Sequence, residues 1–133
     1  MTQPTYQQIP IVDVYEPGRD ITGLATTPLC TYTFLTIAGP RDPASGAPTV
    51  TTATAGGPTC GVCKYPANTG QFTGIARGNS RVVWVLADAP ISAGQPVQVG
   101  ATGTAIPLAT GGTPVGYSID TVATGFLAPI SLY

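Results

Sequence analysis

The residues of this 133-residue chain that could do chemistry are few: three cysteines, six acids and five basic side chains, with no histidine. Without an imidazole, Ser-His-Asp and Cys-His nucleophiles are excluded, as are zinc enzymes that use two or three histidines. Cys60-Gly-Val-Cys63 is a C-x-x-C pair. Cys30 gives it only a third thiolate, so a four-ligand zinc site is incomplete. As a redox pair it lacks the βαβ setting and the helix that would lower a thiol pKa. The three cysteines are therefore expected to be reduced core side chains. The acids at 13, 16, 20, 42, 88 and 120 are scattered, and no two have the spacing of a general acid and base. Asp120-Thr121 is followed by Val122 rather than the Gly of an aspartic-protease loop. Gly56-Gly57 and Gly111-Gly112 precede neither G-K-[ST] nor a helix start, so they read as turns rather than phosphate loops. The expectation is a chain that is not an enzyme, with no catalytic residue, metal ligand or cofactor site.

What remains is binding. Arg77 and Arg81 flank Gly78-Asn79-Ser80 and form the dense basic spot of the sequence. They read as turn charges or as ion-pair partners for another protein. Trp84 lies in the most apolar stretch, Arg81–Ala87, and is expected in the core, with an interface anchor as the alternative.

The elements that position these residues are short strands. Apolar residues make up 43% of the chain, which supports a folded core, while 17 Gly and 14 Pro argue for many turns and against long helices. Candidate strands are 29–38, 49–54, 60–65, 71–77, 81–87, 95–99, 105–108, 115–120 and 126–132. In 115–120 and 126–132 apolar and other residues alternate, the period of an antiparallel sheet with one wet face. Val115, Tyr117 and Ile119 read as the inward set of one, and Phe126, Ala128, Ile130 and Leu132 as that of the other. Pro129 cannot donate to a ladder, so the last strand is placed at an edge or with that nitrogen outward.

Residues 56–75 and 111–130 echo each other at an offset of 55, sharing Gly56/Gly111, Gly57/Gly112, Gly61/Gly116, Thr69/Thr124, Gly70/Gly125 and Ile75/Ile130. Gly46-Ala-Pro48 similarly echoes Gly94-Gln-Pro96. The body, 29–133, therefore reads as two similar halves, about 29–77 and 81–133, closing one small barrel or sandwich. Residues 1–28 carry Pro4, Pro10, Pro17 and Pro28 around Ile9, Ile11, Val12, Val14 and Tyr15. This stretch is too thin for its own core and reads as an extended arm that lies on another surface.

Charged residues are only 8% of the chain and the formal net charge is −1. No basic footprint for nucleic acid or an anionic membrane is present. The longest strongly apolar run, 82–87, cannot span a bilayer, and the first residues lack the basic and apolar regions of a secretory signal. Synthesis in a cytoplasm is expected. With 21 Thr and so few charges, the exterior must be neutral, where free monomers usually carry about 25–35% charged surface. A coat of this kind suggests burial against other subunits.

Several runs, in order, resemble the capsid decoration (cement) proteins of tailed bacteriophages. They are Tyr15-Glu-Pro-Gly-Arg-Asp-Ile-Thr-Gly-Leu-Ala-Thr26, Gly61-Val62 with Lys64-Tyr65, Gly74 to Val83, Ile91 to Gly100, Pro114 to Ser118 and Ile130-Ser-Leu-Tyr133. The likeness runs from about residue 13 to the C-terminus; the cysteines at 60 and 63 and the loop 39–58 depart from it. It implies an all-β, β-tulip-like single domain of short antiparallel strands with an extended N-terminal arm. It also implies a homotrimer on the outer surface of the phage head that clamps neighbouring major capsid subunits. Tyr6, Ile9, Ile11, Val12, Val14, Tyr15, Pro17, Arg77 and Arg81 are then the expected capsid or trimer contacts. The alternatives are a surface-exposed carbohydrate-binding β-module and a tail or connector structural protein.

Overall fold

The computed structural model describes Tyr15 and residues 19–133. Ten strands run in chain order: β1 Asp20–Ala25, β2 Phe34–Gly39, β3 Thr49–Thr52, β4 Gly61–Cys63, β5 Phe72–Ala76, β6 Val82–Leu86, β7 Pro96–Val99, β8 Ala105–Pro107, β9 Gly116–Ser118 and β10 Leu127–Leu132. Among the described residues the fold is all-β, with one short 3-10 turn at Ala101–Gly103. Strands β1 to β5 close a barrel in the order β1-β3-β2-β4-β5, and β6 to β10 form a second sheet in the order β6-β10-β9-β7-β8.

Each strand expected from the sequence is present, mostly a residue or two shorter. The first is shorter still. Leu29 makes only an isolated bridge to Ala67, Thr31 and Tyr32 turn, and pairing begins at Phe34. One strand was missed. Asp20–Ala25, read as the end of the arm, is β1 and pairs with β5 over five residues. Its inward residues are Ile21, Gly23 and Ala25, small enough to hide a strand signal. A side chain at Gly23 would meet Ile75 Cδ1 at 2.7 Å, so the barrel is packed around its absence. The expected arm therefore loses residues 20–25 to the body. Nor is the pairing wholly antiparallel, because β1 closes the barrel on β3 in parallel.

The two sheets share one arrangement. With β1, β2, β3, β4 and β5 matched to β6, β7, β8, β9 and β10, the strand orders coincide. The parallel contact of Ala25 with Val50 recurs as that of Ala87 with Ala105. The first partner has moved 62 positions and the second 55; the difference is a longer loop after β2. Details follow the same offsets. Cys63 Sγ donates to Tyr65 O and Ser118 Oγ donates to Asp120 O. Gly61 and Gly116 each leave no room for a Cβ beside the backbone of Ala76 and Ser131. On this alignment Gly94, at φ 80°, corresponds to Tyr32, at φ 64°. The expected match of Gly46–Pro48 with Gly94–Pro96 is thus incorrect: Gly46 belongs to the long loop, whereas Gly94 belongs to the turn before β7.

Two cores result. Ile21, Ala25, Leu29, Leu35, Val50, Cys63, Ala67 and Ile75 fill the first barrel. Phe34, Val62 and Ala76 point the other way, joining Val85, Val97, Val99, Ile130 and Leu132 in a core that spans both halves. Strands β2, β4 and β5 are therefore a common wall, apolar on both sides, which explains runs such as Phe34-Leu35 that do not alternate.

Three expectations about faces are reversed. In β9 the buried residues are Gly116 and Ser118, while Tyr117 and Ile119 are exposed. Ser118 tolerates burial because its hydroxyl is hydrogen-bonded. In β10, Ala128, Ile130 and Leu132 face inward as expected, but Phe126 is 66% exposed. Strand β10 is also central, lying between β6 and β9. Pro129 fits there because it opposes Trp84 in a pair that makes no β6–β10 hydrogen bond, and on its other side it need only accept from Ile119 N–H.

Candidate interaction surface

The cysteines do not form a site. Cys30 is exposed, Cys60 half-buried and Cys63 buried; the exposure of Cys30, in the turn before β2, corrects its expected core position. Burial pushes the Cys60 thiol up to about 11 and raises Cys63 as well. Both thiols are thus neutral near pH 7 and poor nucleophiles. Among the described residues no group of three potential metal ligands comes together.

Charge gathers at the seam between the halves. Asp20, at the start of β1, bridges Lys64 at 3.3 Å and Arg81. The Arg81 guanidinium also donates to the backbone carbonyls of Arg19 and Arg77. The hydrogen bond from Arg81, seconded by Lys64, holds the Asp20 carboxyl below its ordinary value. Arg77 and Arg81 thus do lie together, and Arg81 has its acid within the chain. Asp20 thus pairs with two of the five basic side chains, while Arg19 and Arg77 join through their backbone carbonyls.

Beside this cluster lies a groove of about 240 Å³ lined by Tyr32, Val62, Lys64, Arg81, Val82 and Trp84, among others. Trp84 is 55% exposed, so the core expectation is wrong and the interface alternative fits its position. The outward face of the second sheet puts Val82, Trp84, Leu127, Tyr117 and Ile119 at the surface, and Tyr117 tilts against Tyr133 with ring centroids 6.2 Å apart. Sequence periodicity missed this face because both sides of β6 are apolar.

Tyr15 is the other described residue of the expected contact set. Its hydroxyl donates to Gly46 O at 2.7 Å and its ring packs on the first-barrel core. It lines a cavity of about 410 Å³ with Asp20, Thr22, Gly46 and Phe72. Tyr6, Ile9, Ile11, Val12, Val14 and Pro17 lie outside the described residues.

No family model matches this sequence, and no curated protein matches it. Among solved structures the chain is similar to the head fiber gp8.5 N base of bacteriophage phi29, with a TM-score of 0.72 and 20% identity over 86% of this chain and 92% of that one. That likeness establishes the fold.

Proposed function

We propose that this chain is a non-enzymatic structural protein of a bacteriophage head. The observation that carries the reading is the match of nearly the whole chain to the base of a phage head fiber. The surface supports it independently. Among the described residues twelve large apolar side chains are substantially exposed on a chain with 8% charged residues, and five of them, Val82, Trp84, Leu127, Tyr117 and Ile119, share the outward face of the second sheet. Exposed apolar area on this scale marks interaction surfaces.

In the finer reading the protein sits on the outer capsid surface as a homotrimer and ties neighbouring major capsid subunits together. Arg77 and the arm residues Tyr6, Ile9, Ile11, Val12, Val14, Tyr15 and Pro17 would supply contacts, and Arg81 would hold the seam beside them. The glycan-binding alternative requires an exposed aromatic beside Asp or Asn; Trp84 is exposed, but the charged groups sharing its groove are Lys64 and Arg81.

The test is to add the purified chain to expanded heads that lack it. Co-sedimentation and a higher temperature of head disruption are expected. Heads that neither bind the protein nor gain stability from it would overturn the reading.

A further inference from the structure

Strand β1 has an unpaired stretch on the side away from β5. Ala25 N–H donates to Gln71 O and Arg77 N–H to Arg19 O, so the odd-numbered residues from Arg19 to Ala25 turn their backbone groups to β5. Leu24 N–H donates to Pro48 O and Thr26 N–H to Val50 O, so the even-numbered ones turn toward β3. Pairing with β3 begins only at Leu24, opposite Thr49. Ahead of it the long loop closes on itself: Gly46 N–H donates to Asp42 O and Asp42 N–H to Ala47 O. Asp20 and Thr22 therefore have no backbone partner on that side among the described residues. The cavity of about 410 Å³ lies along this stretch, lined by Asp20 and Thr22, by the loop residues Ser45 to Ala47 and by Tyr15. An open edge of this kind is a template for an added strand.

The segment placed to fill it is the one that ends at Tyr15. Tyr15 is fixed on the cavity wall by its hydrogen bond to Gly46 O and by its ring on the first-barrel core. Three residues separate it from Arg19, and two of them are Pro17-Gly18, the pair suited to the central positions of a type II turn. A reversal there returns the preceding chain antiparallel to β1. Ile11-Val12-Asp13-Val14 offers four consecutive backbone N–H groups after Pro10, and its β-branched residues favour an extended strand. At about 3.3–3.6 Å per residue these four extend at most roughly 13–14 Å from Tyr15. The Asp20–Thr22 stretch on the same cavity is within that reach, so no second copy is needed. Charge does not select the site, because Lys64 and Arg81 already pair with Asp20.

We propose that residues 11–14 add as a strand to the Asp20–Thr22 edge of β1 in their own copy. The docking stands apart from the assignment to a phage head. It shortens the free arm to residues 1–10, so that of the proposed contacts Tyr6 and Ile9 lie on the free part. Ile11, Val12 and Val14 then act from a strand fixed to the body.

Amide hydrogen exchange at Thr22 tests it, in the full chain and in full-length Val12→Pro and Asp13→Pro variants. Alternate residues of an added strand aim their N–H groups at β1, so one of the two substitutions removes a donor from the contact. Exchange at Thr22 should be slowed at least about tenfold in the full chain at every protein concentration, and the slowing should be lost in at least one variant. Leu132 N–H, bonded to Arg81 O in the second sheet, should stay protected in all three chains and so report an intact body. Fast exchange at Thr22 in the full chain, or equal protection in all three, would overturn the proposal. Protection that fades on dilution would place another copy's arm on the edge. Variant-sensitive protection at Val82 and Trp84 in place of Thr22 would put the arm in the groove beside β6; either result overturns it. Nuclear Overhauser contacts between residues 11–14 and Asp20–Thr22 decide the matter without a variant. They should stay within one molecule when isotope-labelled and unlabelled chains are mixed, and contacts that cross between molecules, or none at all, would contradict the docking.

Discussion

The starts of β1 and β6 are equivalent places in the two halves, and they are finished differently. Asp20 and Thr22 in β1 correspond to Val82 and Trp84 in β6. The β1 edge carries a charge bridged to Lys64 and Arg81, and Tyr15 stands beside it. Charges and covering segments are two ways in which natural sheets block unwanted pairing. The equivalent β6 positions carry no charge of their own, although Lys64 and Arg81 border the groove beside them. They present a half-exposed Val82 and Trp84 over this groove. One frame thus serves twice, with its starting edge unpaired among the described residues in both halves, once bearing a bridged charge and once apolar side chains. The apolar copy is where a contact surface is affordable without loss of the fold.

The comparison assumes that the halves share a core, and this can be broken first. Phe34 is fully buried and belongs to the first half, yet it packs in the cluster dominated by the second. Phe34→Ala should cost about 3–5 kcal/mol. Calorimetry should show one transition, moved down as a unit; two separate transitions would mean that the halves are independent.

Next in size is the pair of equivalent glycines. Gly61→Ala and Gly116→Ala each force a Cβ against the backbone of the neighbouring strand. Each should cost about 2 kcal/mol or more, in the range of substitutions that overpack a core. Denaturant midpoints should fall for both. A loss at one position alone would break the equivalence of β4 with β9.

The smallest effect sharpens the contrast at the edges. Asp20 has a lowered pKa in the fold, so the folded state binds its proton less tightly than the unfolded chain. Its stabilisation is present above the ordinary value of 3.8 and is lost as pH falls through the lower folded value. Because the side chain is about half exposed, the effect should be roughly 0.2–1 kcal/mol and should shrink in salt. Asp20→Asn should remove this part of the acid dependence in urea titrations between pH 2 and 5. Its counterpart Val82 has nothing to titrate, so Val82→Thr should leave the acid profile unchanged.

Most of the frame was legible because β-branched runs and Gly-rich turns alternate along the chain, as in 49–54 and 71–77. Strand β1 was not, since Ile21, Gly23 and Ala25 give little apolar contrast. The repeat was visible where its offset is constant, from Gly56 to Ile75, and misaligned earlier, where the longer loop after β2 shifts the offset. Faces were harder still. Tyr117 and Ile119 look inward by composition, yet only Gly116 and Ser118 are small enough for the tight approach of β10. Of the expected contact residues, Arg77 and Arg81 were placed together by sequence proximity. Lys64 and Asp20 join them only through the closed barrel, which no local pattern encodes. Trp84 was misjudged because an apolar strand with an exposed face reads like one in a core.

The most direct measurement is the copy number of this chain in gradient-purified virions from its source, by quantitative mass spectrometry against the major capsid protein. A regular complement matched to the shell lattice, in the hundreds per particle, is expected. Absence from particles, or a few copies confined to the tail, would contradict the assignment to the head surface.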